Sequence, residues 1–167
     1  DDREAIRVPA RYFSLWGTDV DWGYVSTPQA GTAGRVHPMP RGKVLGGTSS
    51  LNGMVWLRGA ASDYDGWAAL GCPGWEWERV RPAFDALEAW LRPAWLEPRN
   101  PLSAVMVEAA VEAGLPRNPD FDHGTLDGAG WNRATVADGE RWNAHRAFVA
   151  PVRDRPNLSV RPDTSVL

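Results

Sequence analysis

Segment 41–59, RGKVLGGTSSLNGMVWLRG, carries the residues of this chain whose types and spacing could do chemistry. Gly42, Gly46 and Gly47 have no side chains to block an approaching group, so backbone N–H donors there could converge on an anion. Lys43 adds a positive charge to the same stretch. The pattern therefore indicates a loop that could cradle a phosphate.

Hydroxyl and amide groups follow these glycines. Thr48 and Ser49 carry hydroxyls, and Asn52 carries one acceptor and two donors, which suit the edge of a heterocycle. Apolar residues that could form a wall beside a flat ring surround them: Val44, Leu45, Leu51, Met54, Val55 and Trp56. Composition alone leaves an alternative open, because glycine and serine loops are structural turns more often than cofactor sites.

The elements that follow must hold this loop in place. Ser62 is expected to cap a short helix that runs through Leu70, and Gly71 would end it in a left-handed conformation. A longer helix is expected from about Trp75, and Pro82 suits it only in the first turn or at a kink. The helical spacing predicts that its buried face consists of Val80, Ala83, Phe84, Leu87 and Leu91.

A third helix has clear signals at both ends. Asn100 and Pro101 are the types preferred at a helix cap and first position, and Gly114 lies just past the expected end. Its predicted apolar stripe is Leu102, Val105, Met106, Ala109, Ala110 and Ala113.

The remaining patterns are shorter. Alternation over 131–137 predicts a strand that ends at an Asp138-Gly139 turn. Asn143 is expected to cap a short helix through Val149, and segment 157–160 is strand-like. Helices and strands are thus mixed, and the expected fold class is α/β.

Composition excludes several classes of function. The net charge of −3 and the pI near 5.6 provide no basic stripe for nucleic acid, and no apolar run is long enough for a membrane span. Cys72 is the only cysteine, so no internal disulfide can form and a reducing cytoplasm is expected. The three histidines, His37, His123 and His145, share no metal-ligand or acid-base spacing, so we expect neither a metal site nor a catalytic histidine.

The order of residues in the loop resembles the first signature of the glucose-methanol-choline (GMC) oxidoreductases. The matching positions are Gly42, Lys43, Leu45, Gly46, Gly47, Thr48, Ser49, Leu51, Asn52, Trp56, Gly59 and Asp65. Flanking motifs are similar to the choline dehydrogenase-like branch, namely Trp22-Gly-Tyr24, Thr27-Pro28-Gln29, Asp63-Tyr-Asp-Gly-Trp67, Gly74-Trp75, Asp120-Phe-Asp122, Gly139-Glu-Arg141 and Arg155-Pro-Asn-Leu158. The resemblance covers nearly the whole chain.

The resemblance implies a fold and a domain organisation. Part of a Rossmann-like domain for flavin adenine dinucleotide (FAD) is expected at 1–90, with the signature loop at 41–65. A connecting part of the substrate-binding domain is expected at 91–154, and a strand returning to the FAD-binding domain at 155–167.

The resemblance also implies the cofactor and its contacts. FAD would be contacted by Val44, Gly46, Gly47, Thr48, Ser49, Asn52, Gly53, Met54 and Val55, with Val166 on the adenine side. Some family members attach the flavin through a histidine at the position that Leu51 holds here. Leucine cannot form that bond, so noncovalent FAD is expected.

The implied activity is oxidation of a small-molecule alcohol by hydride transfer to flavin. This chain contains neither the family's G-x-G-x-x-G fingerprint nor the motif with its proton-accepting histidine. We therefore expect an internal fragment of such an enzyme, with no catalytic residue of its own and no activity alone. The alternative hypothesis is a noncatalytic remnant or interaction module with a degenerate flavin loop.

Overall fold

A computed structural model of the chain describes residues 3–97 and 99–164. The chain divides into two compact units, of which the first runs to Met54 and resumes at Val136, while the second is Val55–Thr135. Each unit combines helices with short antiparallel strands. The mixed fold class is therefore confirmed. The functional domain boundaries predicted at 90 and 154 do not coincide with these compact units and stay a prediction.

The first unit is built from short elements around a small apolar core. That core consists of Ile6, Leu15, Val20 and Leu51, and Leu51 is only 1% exposed. The elements are α1 (Glu4–Arg7), β1 (Tyr24–Val25) paired with β2 (Pro38–Met39), β6 (Val136–Ala137) paired with β7 (Glu140–Arg141), 3-10 turns at Pro9–Leu15, Ala30–Thr32, Gly47–Ser50 and Ala150–Val152, and a π-helical turn at His145–Val149.

The second unit packs three helices with a three-stranded antiparallel sheet. Its elements are β3 (Val55–Trp56), α2 (Ala61–Ala69), α3 (Trp77–Leu91), β4 (Ala94–Trp95), α4 (Pro101–Glu112) and β5 (Arg133–Ala134). The order in the sheet is β3-β5-β4.

A network of charged side chains joins α3 to the sheet of the second unit. Arg58, whose side chain is 2% exposed, contacts Asp85 and Glu88, both at 2.7 Å. Arg133 on β5 contacts Glu88 and Asp122, also at 2.7 Å. Because a buried charge without a partner is strongly destabilising, these ion pairs and hydrogen bonds hold the unit together.

Helix ends were predicted with mixed success. Asn100 Oδ1 accepts from Leu102 N at 2.9 Å, which confirms the predicted cap of α4, and Gly71 ends α2 with the expected positive φ of 103°. Ser62 is not a cap, because α2 begins one residue earlier, at Ala61, with Ala60 at the cap position.

Helix α3 begins at Trp77 rather than near Trp75, and it contains Pro82 in its interior. Pro82 therefore lies beyond the first turn. Although proline has no N–H for the carbonyl four residues earlier, the helix continues to Leu91 through its other hydrogen bonds. The predicted apolar face is also only partly covered, since Leu87 is exposed.

The predicted apolar stripe of α4 is mostly uncovered. Leu102, Val105 and Met106 are exposed, whereas the partly covered positions of the helix are Ser103, Ala104, Val107, Ala110 and Val111. Helical spacing identifies an apolar face but does not say which neighbour covers it.

The C-terminal elements differ from the expected strands. The segment predicted as one strand over 131–137 forms β5 in the second unit and β6 in the first, and Asp138-Gly139 makes the turn to β7 with both φ angles positive. Asn143 Oδ1 accepts from Arg146 N at 2.9 Å, so the predicted cap is confirmed. Segment 157–160 forms no strand, because none of the described residues pairs with it.

Candidate functional site

Two side chains, Asp21 and Trp16, anchor the loop of segment 41–54 to its own unit. Asp21 accepts N–H groups from Gly17, Gly23 and Arg41, and these hydrogen bonds lower the pKa of its carboxyl group. Trp16 Nε1 donates to the Leu51 carbonyl at 3.1 Å. Both ends of the loop are thereby held.

The glycines of the loop allow its backbone to approach itself closely. A Cβ atom on Gly42 would lie 2.2 Å from the Gly47 carbonyl oxygen, and one on Gly46 would lie 2.6 Å from Ser50 Oγ. The N–H of Gly42 donates to Thr48 Oγ1 and the N–H of Gly47 donates to the Val44 carbonyl. The expectation that these two N–H groups are free to converge on an anion is therefore wrong, because the folding of the loop uses them.

The hydroxyls of the loop are also engaged. Ser49 Oγ donates to the Gly46 carbonyl at 2.5 Å and accepts from Ala144 N at 2.9 Å. Ser50 Oγ is buried between the Leu45 carbonyl and Asn143 Nδ2. Thr48 Oγ1 accepts a hydrogen bond, which leaves its own proton to donate.

Asn52 is exposed at the end of the loop, but its side-chain oxygen points inward. Oδ1 accepts from Met54 N at 3.1 Å and from Arg141 Nη1 at 3.0 Å. The amide nitrogen lies on the other side of the same planar group. Asn52 is thus the polar side chain of this loop whose donors are best placed to meet a ligand.

Arg141 is the residue that sequence reasoning missed. It is 1% exposed, and it donates through Nε to the Ile6 carbonyl at 3.0 Å and through Nη1 to the carbonyls of Ser49 and Asn52 at 3.0 and 2.8 Å. Burial lowers its pKa to about 10, so the guanidinium stays charged at neutral pH. Its place in the Gly139-Glu-Arg141 motif was the available signal, but the motif does not say what the side chain touches.

At the end of the loop, residues 53–55 are notable for their backbone conformation more than for their side chains. Met54 has a φ of 61°, in the left-handed region that non-glycine residues rarely adopt, and its side chain is buried. A Cβ on Gly53 would make only ordinary contact with Tyr12, at 3.8 Å. Val55 starts β3 in the second unit and is exposed.

A cavity of about 350 Å³ lies against the start of the loop. Its lining residues are Trp22, Gly42, Lys43, Val44, Leu45, Arg161, Pro162, Asp163 and Thr164. Lys43 Nζ lies 5.1 Å from the centre of the Trp22 ring. The predicted contact Val44 is therefore placed at a cavity, whereas Val166 lies outside the described residues.

The three histidines do not lie together in one site. His37 Nε2 is 2.8 Å from Thr32 Oγ1, and His123 Nδ1 is 2.8 Å from Asp120. Burial, followed by nearby positive charge, lowers the pKa of His145. Across residues 3–97 and 99–164, no three His, Cys, Asp or Glu side chains are grouped so that they could hold a metal ion, and no helix is long and apolar enough to cross a membrane.

Known proteins share this loop and fold. The family model described as GMC oxidoreductase matches residues 23–167. The chain is 38% identical to the oxygen-dependent choline dehydrogenase of Brucella anthropi and 36% identical to that of Rhizobium rhizogenes, in each case covering 93% of this chain and 31% of the relative. The chain therefore belongs to the GMC oxidoreductase family, as the loop signature predicted, and it spans about a third of the length of these relatives.

Solved structures agree with this assignment. Pyridoxine 4-oxidase from Mesorbium loti superposes with a TM-score of 0.85 at 32% identity, over 95% of this chain and 34% of that one. An FAD-dependent oxidoreductase from Chaetomium thermophilum superposes with a TM-score of 0.80 at 33% identity, over 96% of this chain and 32% of that one.

Proposed function

We propose that this chain is the flavin-loop part of an FAD-dependent oxidoreductase that oxidises the CH–OH group of a small alcohol. The observation that carries the proposal is the loop of segment 41–54. It is folded on its own hydrogen bonds and offers the exposed Asn52 amide at one end and the cavity beside Val44 at the other. Relatives named as choline dehydrogenases support an alcohol as the donor.

The chain's own residues supply binding and orientation. Lys43 and Arg161 bring two positive charges to the cavity against one carboxylate, Asp163, which suits a pyrophosphate. Val44 offers an apolar wall, and the Thr48 hydroxyl can donate a hydrogen bond. FAD, when bound, would supply the hydride acceptor for oxidation of the alcohol, and this redox chemistry would belong to the cofactor.

The cofactor would be held without a covalent bond to the loop. Leu51, at the position where some family members carry the attached histidine, is packed with Ile6, Leu15 and Val20 and has no reactive group. We further propose that 1–90 and 155–167 serve the flavin side and 91–154 the substrate side. The single cysteine, Cys72, is free and exposed, which favours a reducing compartment such as the cytoplasm.

The test compares FAD with a truncated cofactor. The 167-residue chain is titrated with FAD and with flavin mononucleotide, and flavin fluorescence anisotropy is measured. We expect tighter binding of FAD, because only the dinucleotide can occupy both the Asn52 end of the loop and the cavity beside Val44.

A chimera tests the activity. This chain replaces the matching third of the Brucella anthropi choline dehydrogenase, and we expect a yellow protein whose flavin is reduced by choline. A folded chimera that purifies without flavin, together with no FAD binding by the chain, would refute the proposal. A flavin-loaded chimera that no alcohol reduces would refute only the assigned reaction.

A further inference from the structure

The orientation of the Asn52 amide is determined by its neighbours. Met54 N and Arg141 Nη1 are both donors, and both lie within 3.1 Å of the same side-chain atom. An NH2 group cannot accept a hydrogen bond from either donor, so this atom must be the oxygen. The amide nitrogen is therefore directed away from both.

Hydrogen bonds to main-chain carbonyls hold the Arg141 guanidinium in its orientation. Its guanidinium is buried, and Nε and Nη1 are bonded to main-chain carbonyls of Ile6, Ser49 and Asn52. These carbonyls come from α1 and from the loop, which the core of the first unit holds in place. The donor that faces Asn52 is thus part of a rigid frame.

We infer that Arg141 is a positioning residue of the flavin loop, which holds the Asn52 amide so that Nδ2 is offered as a hydrogen-bond donor to an acceptor atom of the ligand. The identity of that ligand as FAD rests on the proposed function, whereas the orientation of the amide does not. The loop would accordingly select for a ring edge that carries a carbonyl oxygen or an unprotonated nitrogen. A ring edge that presents only N–H groups would place its donors against the Asn52 Nδ2 donors, and no hydrogen bond could form.

The first experiment needs no flavin. In the 167-residue chain, N52D places a carboxyl group opposite Arg141, and its pKa is measured by carbon-13 NMR in N52D and in N52D/R141M. A cation within hydrogen-bonding distance lowers a carboxyl pKa by about one to three units, so the pKa is expected to rise by at least about one unit when Arg141 is removed.

The matched control is N52D/R11M, which removes an exposed arginine of the same unit that pairs with Glu4. The control should leave the pKa at position 52 unchanged, and N52D/R141K should restore part of the lowered value. Equal pKa values with and without Arg141 would overturn the inference.

The second experiment is a double-mutant cycle on FAD affinity in the chimera, with N52L, R141M and N52L/R141M. If Arg141 acts through Asn52, each single variant binds FAD about tenfold more weakly and the double variant binds no more weakly than the worse single one. A purely structural Arg141 would instead give the product of the two losses, which overturns the inference.

N52D alone keeps the test decisive if R141M fails to fold. It retains the inward acceptor but replaces the outward donor with an acceptor, so FAD binding should weaken about tenfold. The melting temperature should not fall, because the carboxylate faces the Arg141 guanidinium. Unchanged affinity would refute the donor role. If the unsubstituted chimera binds no FAD, the proposed function fails and the donor role toward flavin fails with it, while the NMR result still decides the orientation.

Discussion

Arg141 Nη1 lies 3.0 Å from Asn52 Oδ1, although 89 positions separate the two residues along the chain. The contact joins the β6-β7 hairpin to the end of the GMC signature loop. The acceptors described for this buried guanidinium are all neutral carbonyl oxygens, of Ile6, Ser49 and Asn52. Because hydrogen bonds to a charged donor contribute about 1.5 to 3 kcal/mol each, the loop depends on this one side chain.

Replacing Asn52 with leucine tests the site and the scaffold together. Met54 N and Arg141 Nη1 lose an acceptor, so the free energy of unfolding should fall by about 1 to 3 kcal/mol, and FAD should dissociate more readily. Denaturant unfolding and a flavin titration measure the two effects. Asn52→Asp, which keeps the inward acceptor, is the control for stability. Lowered stability with unchanged FAD affinity would leave Asn52 as scaffold only.

Gly42→Ala should disrupt the loop through a steric clash. The added Cβ would lie 2.2 Å from the Gly47 carbonyl oxygen, and relief of such overpacking typically costs about 1 to 3 kcal/mol. Gly31→Ala is the matched control, because nothing lies within 4 Å of a Cβ at that position. The melting temperatures of both variants are compared with that of the unsubstituted chain. Equal melting temperatures for the two variants would contradict the close approach of Gly42 to the Gly47 carbonyl oxygen.

Arg58→Met should destabilise the second unit strongly. The change removes the cation that the half-exposed Asp85 and the largely buried Glu88 contact at 2.7 Å, and it leaves Glu88 paired with Arg133 alone. Loss of hydrogen bonds to such charged groups costs about 1 to 3 kcal/mol. The control is Arg79→Met, since Arg79 is 74% exposed in its pair with Glu76 and should change stability by less than about 0.5 kcal/mol. Hydrogen exchange of α3 amides measures the effect, and equal protection in both variants would count against the network.

Stability should decline in acid partly because of Glu88. Burial acts to raise its pKa, but hydrogen bonds from Arg133 and Arg58 outweigh burial and hold the pKa below its ordinary 4.5. A lowered pKa in the folded state contributes stability above the unfolded value, and that stability is lost as pH falls through the folded value. Glu88→Gln should therefore flatten the decline in unfolding free energy between about pH 5 and pH 3. Identical slopes for the two proteins would refute this assignment.

Helix α4 should make the chain bind hydrophobic dyes. Leu102, Val105 and Met106 are each more than 60% exposed, and contiguous apolar surface of this kind favours association. Val105→Lys combined with Met106→Lys should reduce dye fluorescence several-fold and shift size-exclusion profiles toward the monomer. Glu112→Lys, on the same helix, controls for the added charge. A compact unsubstituted monomer that binds no dye would contradict the expectation.

Local sequence patterns correctly predicted the features that depend only on residues a few positions apart in the chain. The Asn100 cap and the Gly71 stop were predictable because each is decided within one turn of helix. The GMC signature was readable for a related reason, since Gly42 and Gly46 are required by contacts inside the loop itself. The family assignment, confirmed by the matches to known proteins, needed no tertiary information.

The sequence by itself determined the family, the mixed fold class and the position of the GMC signature loop. Only the tertiary structure decided that Ser49 and Ser50 hold the loop to Ala144 and Asn143, and that Arg141 turns the Asn52 oxygen inward. It also decided which face of α4 is covered. The physical reason is range: caps and glycine turns depend on residues a few positions apart, whereas a buried guanidinium finds its acceptors only after folding brings distant segments together.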